Sequence, residues 1–249
     1  MGEKRKTTVY FGGEAHEQWT ERGLEVSYSG RTPAVAVFDG DTLTAEAPEP
    51  GRAGDVKAGY NELACWQELA ARLNNGSVSP LSSAYFRASA EISLALADDA
   101  PDWRTIYERY SRTLSGGAES IAIVELLRVL LDEKRAAWDE AVDTVSRCFE
   151  LRIPEVRPGA PVPLAAVRAL QPRDAELIGV LNEKLCSRLW DAWPGDWLRI
   201  GESAIVRDDE ADLTMLAAAM CLRIYCTKEE LAGSLRALYT LDPARFTEL

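Results

Sequence analysis

The stretch from Ile121 to Phe149, IAIVELLRVLLDEKRAAWDEAVDTVSRCF, constrains the fold more than any other part of the chain. In its first half Ile121, Val124, Leu127, Leu130 and Leu131 recur at three- and four-residue spacing, which draws an apolar stripe down a 3.6-residue helix. Trp138, Ala141, Val142, Val145 and Phe149 repeat the pattern, and the charged run Asp132 to Arg135 separates the two halves. Two amphipathic faces joined by so short a connection must close on each other or on a shared core. The spacing therefore locates the main burial and carries no information about function.

Before this hairpin the pattern is strand-like. TTVYF, LEVSYS, AVAVF and TLTAEA are short, β-branched or aromatic, and separated by Gly12-Gly13, Gly30 and Asp39-Gly40. Asp39-Gly40 between two such runs signals a hairpin, because glycine accepts the positive φ that tight turns need. GGEAHEQW reads as a turn between early strands, and APEPGRAGD, residues 47–55, as a connection. Helices are predicted near 56–73, 80–97, 102–112, 119–133, 137–149, 173–192, 210–225 and 227–239. Residues 150–163, ELRIPEVRPGAPVP, carry four prolines that remove backbone donors, which makes the segment an ordered loop or a lid. The expected class is α+β, mainly α: one domain over 1–249, with a small antiparallel β region at 1–50 and a helical region at 51–249.

A net charge of −12 and a pI near 4.7 argue against a general binder of nucleic acid or anionic membranes, since phosphate groups must be met by clustered Lys and Arg. The five cysteines, Cys65, Cys148, Cys186, Cys221 and Cys226, lie mostly in apolar helical patterns and form no C-x-x-C pair. They read as buried thiols of a reduced, cytoplasmic protein. No apolar leader opens the chain, and no run reaches the roughly 20 apolar residues of a membrane span. A single histidine, His16, excludes multi-histidine metal sites; it reads as a surface residue or, less simply, a catalytic one. There is no P-loop, dinucleotide fingerprint or G-x-S-x-G elbow.

The combination AIVELLRVLLDE and AAWDEAVDTVSRCF resembles the helix pair in the N-terminal domain of the α-glucan (glycogen and starch) phosphorylases, pyridoxal-phosphate-dependent glycosyltransferases of the GT-B fold. LQPRDAELIGVLNEKLCSRLWDAWPGDW resembles the family's long helix and Pro-Gly-Asp turn, and DLTMLAAAMC with LRALYTLDPARFTEL the segments that close the domain. SSAYFRASAEISLAL resembles the helix after the substrate-site loop, and DVKAGYNELACWQELAARLNN the helix at the family's dimer interface. The likeness covers most of the chain, faintly before Gly54 and best from Tyr85 to Phe149. The resemblance places the cofactor lysine and most phosphate-binding groups in a C-terminal domain that would follow Leu249. It also carries signatures that are replaced here. Asn-Asp-Thr-His-Pro becomes Leu114-Ser115-Gly116-Gly117-Ala118, Tyr-Thr-Asn-His-Thr becomes Glu150-Leu151-Arg152-Ile153-Pro154, and a loop containing Pro-Asn-Asp becomes Asn74-Asn75-Gly76-Ser77.

A retained scaffold with replaced polar groups points to a phosphorylase-like domain without pyridoxal phosphate or phosphorolysis, its cleft repurposed for a small organic molecule. A cofactor-free cyclisation, dehydration or isomerisation in specialised metabolism would suit such a cleft. The alternative is a non-catalytic pseudoenzyme that binds carbohydrate or scaffolds a carbohydrate-active partner. Glu119 and Arg152 are the candidate catalytic groups, Tyr85, Arg87, Asn74 and Asn75 the candidate ligand contacts, with 150–163 as lid; neither cofactor nor metal is expected. Glu125, near the start of the organising helix, is a further candidate by position. The acidic run Arg207-Asp208-Asp209-Glu210 is either an acid-base pair or a solvated loop. Trp190, Trp193 and Trp197 are either a stacking surface or helix-end packing. The stripe Leu63, Trp66, Leu69, Ala70 and Leu73 on helix 56–73 serves either a homodimer or the chain's own core.

Overall fold

The β-branched and aromatic runs near the N-terminus form five strands: β1 (Arg5–Phe11), β2 (Glu14–Thr20), β3 (Gly23–Ser29), β4 (Thr32–Asp39) and β5 (Thr42–Glu46). These and all later features come from a computed structural model that describes residues 4–21, 23–49, 60–97, 102–154 and 160–249. β1, β4 and β5 make an antiparallel sheet in the order β1-β4-β5, and Asp39 pairs with Thr42 across the turn at Gly40 (φ 61°). The predicted hairpin is therefore present. β2 and β3 form a separate antiparallel ribbon, so GGEAHEQW is a strand rather than a turn. Its residues are polar and mostly exposed, which hides the two-residue alternation that marks a half-buried strand. His16 lies on this ribbon, its Nε2 2.7 Å from Ser29 Oγ.

Helix α1 (Tyr60–Asn74) packs on β4 and β5, and α2 (Pro80–Ala95) packs on β1 and β4. Ser79 caps α2 by accepting from the Ser82 amide, and Pro80 occupies the first turn, where a missing donor costs nothing. The predicted start of the first helix at 56 lies outside the described residues. Trp66 and Ala70 on α1 are only 3% and 6% exposed, so the stripe faces the chain's own interior. Trp66→Glu is accordingly expected to cost about 3–5 kcal/mol, the range for losing a large buried side chain. Urea denaturation checks this; a fully stable, folded variant would sink the core reading.

After a 3₁₀ segment (Trp103–Glu108) the chain forms β6 (Arg112–Leu114), a 3₁₀ turn and then α3 (Ile121–Arg128). Every residue of α3 is buried, because it lies between α2, α4, α6 and α8. One stripe was expected, and burial on all sides is found. The helix continues through a π-helical turn, Val129–Glu133, and after a non-helical connection at 134–137 come α4 (Trp138–Cys148) and β7 (Phe149–Arg152). Beyond it come β8 (Val162–Pro163), α5 (Leu164–Leu170), α6 (Pro172–Ala192), α7 (Trp197–Ser203), β9 (Val206–Arg207), β10 (Glu210–Ala211), α8 (Leu213–Met220), β11 (Arg223–Cys226), α9 (Lys228–Ala232), α10 (Arg236–Leu241) and β12 (Phe246–Glu248). Asp208 and Asp209 both take positive φ in the tight β9–β10 turn, which makes that acidic run an exposed hairpin tip.

The main correction lies in the centre. β12, β11, β7 and β6 form a four-stranded parallel sheet, in that order, where the sequence predicted helix over 210–225, a loop or lid over 150–163 and no strand. Its strands are only three or four residues long, and short apolar segments of this kind cannot be told from helix by periodicity. The architecture remains α+β and mainly helical, with a parallel layer among the helices as well as the N-terminal antiparallel sheet.

Candidate functional site

The all-buried environment of α3 makes its two charged residues conspicuous. Glu125 and Arg128 lie three apart on one face, 0% and 4% exposed. Arg128 grips the carboxylate with two prongs, Nε to Oε2 at 2.7 Å and Nη2 to Oε1 at 2.9 Å, while Ser89 Oγ donates to the same Oε1 at 2.7 Å. Its remaining Nη1 donates to Glu133 Oε1 at 2.9 Å. Bidentate geometry of this kind offsets the cost of removing both ions from water. Burial alone would lower the Arg128 pKa, but the Glu125 carboxylate more than reverses this and holds it well above its ordinary value.

A second acid crowds the same guanidinium. Asp174, in the first turn of α6, is fully buried, with Oδ1 3.9 Å from Arg128 Nε and neither oxygen hydrogen-bonded. Burial, aided by the charge on Glu125, pushes its pKa well above the usual carboxylate range. The π-helical turn carries a third acid, Asp132, whose Oδ2 accepts from the Tyr28 hydroxyl at 2.7 Å and whose Oδ1 lies 3.5 Å from Arg173 Nε. Burial raises the Asp132 pKa against the opposing pull of Tyr28 and Arg173. Burial likewise pushes the Tyr28 phenol upward, keeping it protonated.

Above this network opens a cleft of about 550 Å³ between β1, β3, α2 and α3. Glu125, Arg128 and Tyr85 line it, as do Tyr28, Lys6 and Lys134. Arg31, also in the lining, stacks its guanidinium over two rings, 4.2 Å from the Tyr10 centroid and 4.7 Å from that of Tyr28. Tyr85 is 1% exposed, and its hydroxyl donates to the Tyr10 carbonyl at 2.9 Å.

The residues singled out from the sequence do not converge. Tyr85 and Glu125 line this cleft, whereas Arg87 lines another cleft with Glu91 and Arg112. Asn74 clamps β5 instead, Oδ1 accepting from the Ala45 amide at 2.7 Å and Nδ2 donating to its carbonyl at 2.8 Å. Asn75 Oδ1 accepts from the Ser77 amide and shapes a turn. Glu119 accepts from the amide and hydroxyl of Ser115, closing its own loop. In that loop Gly116 (φ +94°) packs so tightly on Thr214 that a Cβ would meet Oγ1 at 2.7 Å. Arg152 ends β7 exposed, 6.0 Å from the Tyr225 ring. Five residues of the lid segment, 155–159, lie outside the described residues. Arg128, Tyr28, Arg31, Ser89 and Asp174 were missed. For Glu125 and Arg128 a signal existed: opposite charges at i,i+3 inside an otherwise apolar helix.

Of the thiols, Cys148, Cys221 and Cys226 are buried, Cys186 is half-buried and Cys65 is exposed, which corrects the expectation for Cys65. Burial pushes Cys148 and Cys221 up to about 12. Among the described residues no group of three or more His, Cys, Asp or Glu could hold a metal ion, and no helix is long and apolar enough to cross a membrane. Pyridoxal phosphate, implied by the resemblance, needs a sheltered lysine amine. Lys4, Lys6, Lys184 and Lys228 are exposed, and Lys134 donates to the Leu96 carbonyl at 3.4 Å, so the described residues do not fit that cofactor.

The model of the carbohydrate phosphorylases matches residues 72–230, and the chain belongs to that family. Glycogen phosphorylase of Bacillus subtilis (strain 168) is 31% identical over 116 residues, which cover 45% of this chain and 14% of that protein. The muscle form from Rattus norvegicus is 36% identical over 93 residues, 36% of this chain and 11% of the relative. Glycogen phosphorylase 2 of Dictyostelium discoideum is 32% identical over 95 residues, 37% of this chain and 9% of the relative. The chain spans about a seventh or less of the length of these relatives.

Proposed function

We propose that this phosphorylase-like domain uses the cleft over the Glu125–Arg128 pair to bind a small organic molecule carrying a carboxylate or several hydroxyls. The observation that carries this is the lining itself. Lys6, Arg31, Arg128 and Lys134 line the cleft together with Glu125 and Glu133, and the Arg31 guanidinium is stacked on Tyr10 and Tyr28. The geometry supports binding more strongly than turnover. Tyr28 and Tyr85 give their protons to protein acceptors, and Glu125 is saturated by Arg128 and Ser89. A cofactor-free step in specialised metabolism would have to recruit Tyr28 as its proton donor, displacing Asp132.

The second reading, a carbohydrate-binding or scaffolding pseudoenzyme, is favoured by one surface feature. Trp190 and Trp197 meet at 4.7 Å beside Leu198, and the last two are 70% and 73% exposed. Such rings suit stacking on sugars. A homodimer through α1 would have to use its outward face, Glu62, Cys65, Glu68 and Arg72, because the apolar stripe is turned inward.

Native mass spectrometry of the protein taken directly from its producing cells separates these readings. The expected result is a mass excess that is released on denaturation and is absent from a Tyr28→Phe/Arg31→Gln variant. An empty homodimer or a stable complex with another polypeptide would transfer the assignment to the second reading.

A further inference from the structure

The ribbon β2–β3 pairs with no other strand. Its apolar side chains, Ala15, Trp19, Leu24, Val26 and Tyr28, lie outside the core and outside the partly buried apolar residues packed on it. Two short legs join the ribbon to the antiparallel sheet. The first leaves β1 through Gly12 and Gly13 (φ 65° and 85°), with the Gly12 amide donating to the Leu170 carbonyl at 2.6 Å; the second returns through Gly30 (φ 66°). A Cβ on Gly13 would meet the Ser29 carbonyl oxygen at 2.3 Å, so the legs lie side by side only because that residue is glycine. Past this base, three polar contacts hold the ribbon against the π-helical turn, the residues after it and the start of α6: Tyr28 to Asp132 at 2.7 Å, Glu25 to Arg135 at 3.2 Å, and Glu17 to Arg173. The Arg135 and Glu25 side chains are 54% and 39% exposed, and ion pairs so exposed contribute little. A two-stranded ribbon without a buried apolar face is itself only marginally stable in water.

We propose that the β2–β3 ribbon is a hinged flap over the cleft above Glu125 and Arg128, turning about Gly12-Gly13 and Gly30 to admit and release the occupant. This rests on the reading of that cleft as a binding site. Val26 and Tyr28 on the ribbon, and Arg31 at its base, line the cleft, so lifting the ribbon removes one of its walls. The other walls, β1, α2 and α3, carry core residues such as Val9, Ile92 and Ile121 and stay in place. Hinged closure needs only a few residues to absorb the change in φ and ψ, and the paired glycines at the base supply them. A polar latch suits the motion, because it breaks without taking apolar side chains out of the core.

Amide hydrogen exchange of the empty full chain, read by NMR, tests the flap. The hydrogen-bonded amides of the ribbon are expected to be protected at least ten-fold less than those of β1 and β4. Tyr28→Phe/Glu25→Gln should lower ribbon protection at least a further three-fold and leave β4 and α3 unchanged. A second readout follows the cleft itself. Thr8→Cys places a thiol in the lining, on a Cys65→Ser background that silences the exposed native thiol. Its modification by N-ethylmaleimide should speed up at least three-fold when the latch is removed. Equal protection of ribbon and sheet, or an equal loss in β4 and α3 in the latch variant, would overturn the flap. Faster ribbon exchange with unchanged thiol reactivity would overturn its role as a gate, since the ribbon would then fray without opening the cleft. Both readouts are taken without a ligand, so they succeed or fail separately from the mass excess sought for the cleft.

Discussion

Arg128→Met is expected to destabilise the fold by about 3–5 kcal/mol, the range for breaking a buried ion pair by removing one partner. Methionine replaces the stem but leaves Glu125 charged and fully buried, with only Ser89 still donating to it. For a chain of this size the loss corresponds to a fall of roughly 10 °C in melting midpoint, taking about 2–4 °C per kcal/mol. Thermal melts at pH 7 check it, and a shift under about 2 °C would show that the pair is dispensable. Asp174→Asn supplies the contrast. Burial holds the Asp174 pKa above its ordinary 3.8, so its contribution is fully present below about pH 4 and is lost as pH rises through the folded-state value. Asp174→Asn should be close to neutral below about pH 4, should be more stable than the wild type at pH 7, and should remove that part of the pH slope. An unchanged slope would mean that Asp174 stays ionised.

Phe149→Ala is expected to cost a similar amount, about 3–5 kcal/mol, through an unfilled cavity. Phe149 stands where α4 passes into β7, is 1% exposed, and meets Tyr110 edge-on with centroids 5.8 Å apart. Its loss removes packing from both a helix end and the parallel sheet, which gives the site little freedom to collapse. In urea the midpoint should fall with little change in slope, and Phe149→Leu should lose less than half as much. A drop below about 1 kcal/mol for the alanine variant would place Phe149 outside the stabilising core.

Both predictions concern the stretch that dominates the sequence, and it shows how far reading alone reaches. The apolar spacing from Ile121 to Phe149 located the core and its two helices, and Asp39-Gly40 located a hairpin, because each signal is local and period and turn chemistry suffice. The same letters did not show that α3 is buried on every side, since periodicity records one face and is silent about how many neighbours a helix has. Residues chosen by analogy of position fared unevenly. Tyr85 reaches the cleft, while Asn74, Asn75 and Glu119 bind backbone or side-chain groups of their own loops and strand neighbours.

The sequence by itself determined the helical class, the N-terminal antiparallel strands, the family and the buried character of the central segment. The class, the strands and the burial follow from composition and from contacts within a few residues, and the family from the resemblance of several segments in order. Only the tertiary structure decided that β6, β7, β11 and β12 pair in parallel, that Tyr28 and Asp132 meet across 104 positions, and that Arg5, Arg87, Arg109 and Arg112 share one cleft. Those arrangements depend on non-local pairing, and no window of adjacent residues contains them.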